Sequence, residues 1–314
     1  MTLSPLLLLL PTLASPPMDD PLSIDVGDGR ARVQLGDELV TEFVWEDTAR
    51  PYLYPLHAAG GAALTRGFPM DPQPHEAHDH PHHQSAWFAH GDVDGFDFWH
   101  GRGHQERIEL ERIERAAVLE DGRGELVASL AWRVGEGDAQ RTLLRERRSM
   151  RFSADESART IEFELRLTPA GDEPVVFGDT KEGSFALRLT PSLRLSGEVA
   201  AGSALNSEGE SGGAVWGKRA AWVAYSGPVE GETYTVLVVE SRRNFRHPTW
   251  WHARPYGLFA ANPFGIHDFE GGEDGRGDHR LEPGEELVLR YAVVLLNGAP
   301  EATALDALAE EMGA

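Results

Sequence analysis

Between Ile24 and Leu296 apolar and polar residues alternate one for one in run after run, and this patterning is what most restricts the fold. Residues 159–168 show it best, with Ile161, Phe163, Leu165 and Leu167 on one side and Glu162, Glu164 and Arg166 on the other. Successive side chains of a strand point to opposite faces, so a period of two marks a strand with one buried face and one wet face. The same pattern fills residues 31–35, 39–45, 106–115, 124–134, 140–152, 185–189, 222–225, 233–240 and 286–296, with turn signals such as Gly36-Asp37 and Asp121-Gly122 between runs. Only residues 300–312 carry helical spacing, through Ala304, Leu305, Leu308 and Ala309.

Strand follows strand without the alternation of strand and helix that a parallel sheet requires. The expectation is therefore an all-β fold, a large two-sheet antiparallel β-sandwich with a short C-terminal helix. No Ser/Pro-rich break divides the middle, so residues 21–314 read as a single sandwich domain. Residues 1–20 hold an unbroken apolar run, Leu6 to Leu10, ahead of Ala14 and Ser15. That run is too short to span a bilayer and resembles the apolar part of a secretory signal or a disordered leader. It places the protein in the periplasm or outside the cell, with a cytoplasmic location as the alternative.

The formal net charge of −22, from 51 acidic against 29 basic residues, opposes association with polyanions. Nucleic acid and stable membrane insertion are therefore not expected. The chain has no cysteine, which removes disulfides, thiolate metal sites and a cysteine nucleophile. It also has no phosphate-cradling or dinucleotide glycine motif and no Gly-x-Ser-x-Gly elbow.

Three polar constellations interrupt the strands. Residues 75–104 contain eight of the thirteen histidines, with His78-Asp79-His80-Pro81-His82-His83 at their centre and Trp87, His90, Asp92 and Trp99 following. Imidazole serves both metal binding and proton transfer near neutral pH. As a metal site this stretch would use His78, His80 and His83, since His-x-His with a third histidine is a common nitrogen-donor arrangement for a divalent metal. As a metal-free site it would supply an acid or base. As a structural loop it would pair imidazoles with Asp79 and Asp92. The second constellation is Asp179-Thr180-Lys181-Glu182, charges of both signs at a strand end, suited to acid–base work or to a solvated turn. The third joins Trp250, Trp251, His252, Arg254, Tyr256 and Asn262, an aromatic and polar mixture matching sugar recognition. Adjacent strand residues face opposite ways, so only one of Trp250 and Trp251 can line a given pocket.

The strings RPYLYPL (50–56), LTRGFP (64–69), HDHPHHQSAWFAHGDVDGFDFW (78–99), KEGSFALRL (181–189) and PTWWHARPYGLFAANPFG (248–265) resemble the PmoA-like bacterial family. That resemblance implies a soluble β-sandwich protein, distantly similar to the galactose-mutarotase-like supersandwich group. In that group a histidine pair, an arginine and a carboxylate line a sugar site. The residues of matching type here are His80, His83 or His90, Arg66, and Asp179 or Glu182.

Taken together, these features lead us to expect an enzyme acting on a small-molecule carbohydrate, a sugar or keto-sugar, by His/carboxylate acid–base chemistry of the epimerase, lyase or hydrolase type. His80, His83, His90, Asp179, Lys181 and Glu182 are the candidate catalytic residues. Arg66, Trp87, Asp92, Trp99, Trp251, His252, Arg254, Tyr256 and Asn262 are the candidate binding residues. Two alternatives are a metal-dependent oxygenase or hydrolase built on the histidine cluster and a non-catalytic sugar-binding module.

Overall fold

The run at residues 159–168 becomes the strand Ala158–Pro169, along which partly exposed and buried positions alternate up to Thr168. In the computed structural model, which describes residues 21–101 and 105–313, it lies within an eight-stranded sheet. Its neighbours there are Arg141–Ala154 on one side and Leu287–Asn297 on the other. A nine-stranded sheet stacks against it, and all the named ladders in both sheets are antiparallel. The two-sheet sandwich expected from the alternation is the observed architecture.

Rings from the facing sheets interlock to form the core. Phe185 of the nine-stranded sheet lies 4.8 Å from Phe163 and 4.5 Å from Tyr291 of the eight-stranded sheet. Phe88 and Phe98 close on Trp132 in the same layer at 5.8 and 4.9 Å. Each fully buried ring of this kind contributes roughly 1.5–3 kcal/mol of transfer free energy.

The outer face of the eight-stranded sheet divides in two. The helix Ala302–Met312 covers one part through buried Leu305, packed with Trp222, Leu237, Val239 and Val294. It begins two residues after Pro300. The other part is wet and carries ion pairs such as Arg147–Glu114, Arg151–Glu125 and Arg166–Glu164. These explain the Arg/Glu alternation, and each exposed pair adds only about 0–1 kcal/mol.

The nine-stranded sheet positions the candidate site on its own outer face. Its central strands are Ala86–His90, Gly183–Arg188, Leu258–Asn262 and Thr249–Trp251, in that spatial order. Directly opposed residues share a face, so Trp87 opposite Ala186, Ala186 opposite Ala260, and Arg188 opposite Leu258 all lie on one side. Ala89, Ala186 and Ala260 make a flat floor of small side chains beneath the histidine-rich segment. Among the described residues no helix is long and apolar enough to cross a membrane. The leader read over residues 1–20 and His104 lie outside the described residues.

Candidate functional site

The HDHPHH segment is held by arginine. Arg66 follows an isolated bridge between Thr65 and Leu189, and its backbone amide donates to the Arg188 carbonyl. From there its buried guanidinium donates to the carbonyls of Ala77, Asp79, His80 and His83 and to Asp79 Oδ1, at 2.8–3.2 Å. A rigid fork with five N–H groups can satisfy several loop carbonyls at once, which no other side chain can do. Arg50 ties His82 and Phe98 by the same means, through their carbonyls. The loop so fixed includes His80 at φ +45°, in the left-handed region.

Arg188 ends the strand Gly183–Arg188 and rises from the sheet into this loop. Its Nη1 lies 3.0 Å from His83 Nδ1 and its Nη2 donates to Asp79 Oδ1, also at 3.0 Å. A guanidinium can only donate, so His83 Nδ1 carries the lone pair and its proton sits on Nε2. Burial, then the neighbouring His82 and Arg188, hold the His83 pKa well below the usual imidazole range. Beneath His83 lie Trp87 at 5.3 Å and Trp99 at 5.9 Å, both buried.

His80 is the exposed member of the group. Its ring is nearly parallel to those of His83, 4.8 Å away, and Tyr256, 5.6 Å away, and its side chain is 41% accessible. Its Nδ1 lies 3.1 Å from Asp79 Oδ2. Burial would raise the Asp79 pKa, but Arg188, His80 and Arg66 outweigh it and keep the carboxyl below its ordinary value.

A second wall stands opposite. His252 continues the strand Thr249–Trp251 and pairs with Ala260 through the backbone, which places it on the outer face. Its Nδ1 is 2.9 Å from the Lys181 carbonyl, and Arg254 Nε donates to its Nε2 at 3.0 Å. Burial first, and Arg254 second, push the His252 pKa down to about 3. The Arg254 guanidinium lies over the partly exposed Trp216 ring at 4.9 Å. Lys181 Nζ sits 3.4 Å from Asp268 and 3.8 Å from Glu182. The walls meet at Tyr256, whose ring lies 4.5 Å from the Arg188 guanidinium and whose hydroxyl feels Arg188, Arg254, Glu182 and Asp79.

Several residues expected in the site serve the fold instead. His90 is fully buried, with Nε2 2.8 Å from the Gly178 carbonyl and its ring 4.8 Å from Phe264; burial lowers its pKa to about 4. Asp179 accepts from the amides of His267 and Gly277 and so ties its loop to two distant ones, while Asp92 accepts from that of Gly95 and closes a local turn. Asn262 is buried and braces Thr180, Phe264 and Gly265. Trp251 points into the core with its Nε1 on the Ala220 carbonyl. Trp87 and Trp99 are buried against His83, out of reach of a ligand on the exposed side of His80. Arg66, expected to bind a ligand, is spent on loop carbonyls and on Asp79 instead.

The metal set His78, His80 and His83 is not assembled. His78 stacks on Phe68 at 4.6 Å, and His83 Nδ1 faces a guanidinium, which would repel a cation. Among the described residues no three His, Asp or Glu side chains meet in a way that could hold an ion.

Arg188 and Trp216 are the members that sequence patterning does not single out. A signal for Arg188 exists, a charged residue at a buried strand position, where arginine is rarely found without a partner. Trp216 follows a glycine-rich turn and carries no comparable mark.

The model of the DUF6807 family, described as a family of unknown function, matches residues 30–310. No curated protein matches the chain in sequence. Among solved structures it is similar to a galactose mutarotase-like protein from Clostridium acetobutylicum, at 11% identity and a TM-score of 0.40, covering 90% of this chain and 100% of that one. It is also similar to a polysaccharide lyase at 13% identity and a TM-score of 0.33. That match covers 89% of this chain, which spans only 33% of the lyase.

Proposed function

The chain belongs to the DUF6807 family of unknown function, and from its site we propose that it binds a carbohydrate and transfers a proton on it. The observation that carries this is the Asp79–His80 pair, 3.1 Å apart, on the exposed side of an otherwise buried imidazole–arginine cluster. Asp79 orients the His80 ring through Nδ1, which leaves Nε2 directed away from the carboxylate as base or acid. Trp216 and Tyr256 are partly exposed rings able to pack on the C–H face of a sugar, beside the polar groups Arg254, Lys181 and Glu182.

The reaction this suits is removal of a proton from a sugar hydroxyl or from a carbon next to a carbonyl, as in epimerisation or β-elimination. His80 takes the proton on Nε2, Lys181 on the opposite wall offsets the negative charge that develops, and the imidazolium returns the proton, to the departing oxygen as its C–O bond breaks in β-elimination or to the ring carbon in epimerisation. His83 positions rather than reacts, since it is buried and its Nδ1 is engaged. The string behind the PmoA-like resemblance, residues 78–99, builds the histidine wall, and we extend the same reading to that resemblance.

The test is a panel of mono- and oligosaccharides followed by tryptophan fluorescence for binding and by product analysis for turnover. His80→Ala should bind with little change and lose turnover by about 100-fold or more. Binding without product in the unaltered protein would reduce the reading to a sugar-binding module. Retained turnover in His80→Ala would remove His80 from the chemistry.

A further inference from the structure

Arg254 differs from the other arginines of the pocket in how its charge is used. Arg66 and Arg188 spend their Nη groups on carbonyls, a carboxylate and an imidazole. Arg254 is fixed only through Nε, on His252 Nε2, and through its plane, over Trp216. His252 is itself fixed by the Lys181 carbonyl, so the guanidinium is oriented by two successive contacts. Among the described residues no carboxylate pairs with Arg254, and neither of its Nη atoms has a hydrogen-bond acceptor, although the chain carries a net charge of −22. A planar fork held from behind with its outer edge open is the arrangement that receives a carboxylate through two parallel N–H···O bonds.

We infer that the pocket takes an acidic sugar, a uronate unit whose carboxylate is received by the Nη fork of Arg254. The inference rests on the carbohydrate reading above and adds the class of sugar. Arg188 works in the same direction, since at the Tyr256 hydroxyl the two arginines act more strongly than Glu182 and Asp79. A uronate seated on Arg254 would lie beside Trp216, with its ring carbons toward Tyr256 and the His80 wall.

The experiment titrates the full chain with D-galacturonate, D-galactose, D-glucuronate, D-glucose and acetate, and repeats each titration with Arg254→Gln and Arg254→Lys. At least one uronate should bind about tenfold or more tighter than its neutral counterpart. That preference should vanish in Arg254→Gln and shrink in Arg254→Lys, which keeps the charge but not the fork. Affinity for the neutral sugar should fall less than affinity for the uronate in both variants, the two losses differing by about tenfold in Arg254→Gln. Thermal melting checks that the variants fold, and Arg254→Lys carries the test if Arg254→Gln does not. Equal affinity for uronate and neutral sugar, or a preference that stays undiminished in the variants, overturns the inference and leaves the carbohydrate reading standing. Acetate binding as tightly as the uronate reduces the site to a plain anion site and overturns it too. Binding of no sugar at all overturns both.

Discussion

Arg188 Nη1 meets His83 Nδ1 across 3.0 Å, and this contact makes His83 a neutral imidazole of fixed tautomer at the base of the histidine wall. The same guanidinium holds Asp79, so one side chain from the sheet sets both the buried ring and the carboxylate that orients His80. Replacing it with a side chain of similar length and no charge, Arg188→Met, removes both contacts and leaves Asp79 to Arg66 and His80. Stability should fall by about 1–3 kcal/mol, the usual cost of leaving a buried polar group, here His83 Nδ1, without its partner. His83 should at the same time titrate at higher pH, because a neighbouring cation has gone. Imidazole NMR titration reads the second effect, and an unmoved His83 resonance would show that Arg188 does not control it.

Three imidazoles kept neutral by burial make the fold sensitive to acid. His90 is lowered to about 4, His252 to about 3, and His83 well below its ordinary range. In the unfolded chain each binds its proton near pH 6.5. Below that pH the unfolded state holds more protons than the native one, so stability falls as pH drops from about 6.5 toward those lowered values. Each histidine contributes about 1.4 kcal/mol per pH unit, giving about 4 for the three. Glu240 opposes them with one such contribution, while His247 and His279, also lowered by burial, add to the loss, so stability falls as pH drops through about 5. Urea midpoints between pH 7 and 4.5 measure the slope. A flat profile over that window would contradict the burial of these rings.

The sandwich was legible because period-two patterning is a local property of the chain. The strand Gly124–Val134, for example, occupies the residues its alternation marks. The histidine wall was legible as a density of imidazole, and His252, Arg254 and Tyr256 as an aromatic and polar cluster. What patterning cannot convey is direction and depth. His90 and His83 are seven residues apart and of one type, yet one ring packs on Phe264 under a carbonyl and the other meets Arg188. Their difference depends on register with Gly183–Arg188, a pairing across more than ninety residues. Trp251 and Asn262 look like binding residues in composition. Strand parity turns the first inward, and the loop at Thr180 claims the second.

Glu240 supplies a change of the opposite sign at higher pH. It ends the strand Glu232–Glu240 in the core, accepting the Thr249 amide, with His247 Nδ1 3.0 Å from the same oxygen. Burial raises its pKa to about 8, while burial also lowers that of His247. A folded-state pKa above the unfolded value means the contribution is complete below about pH 4.5 and is lost as pH rises through 8. Glu240→Gln removes the ionisation and keeps an acceptor for Thr249. Its stability should therefore gain about 1.4 kcal/mol per pH unit relative to the parent as pH rises from 5.5 to 7.5, because only the parent loses the contribution of a neutral carboxyl. Parallel urea midpoints for the two proteins across that range would refute a neutral buried carboxyl.

Arg66 offers the sharpest separation of loop order from global fold. Its five hydrogen bonds all end on residues 77–83, so Arg66→Lys keeps a cation beside Asp79 and loses the fork that spans the carbonyls. The carbonyls it abandons lie beneath the loop, and leaving one buried polar group unpaired costs about 1–3 kcal/mol. That cost falls on the local opening of the histidine segment, because the sheets below it are joined by ladders the substitution does not touch. Amide exchange at His83, which donates to the His80 carbonyl, should then quicken by about tenfold or more. Amides of the strand Ala158–Pro169 should keep their protection. His80 would lose its fixed place against His83 and Tyr256, and sugar turnover should drop with it while Trp216 still reports binding. Unchanged exchange at His83 in a folded Arg66→Lys protein would mean that the loop is held by something other than this guanidinium.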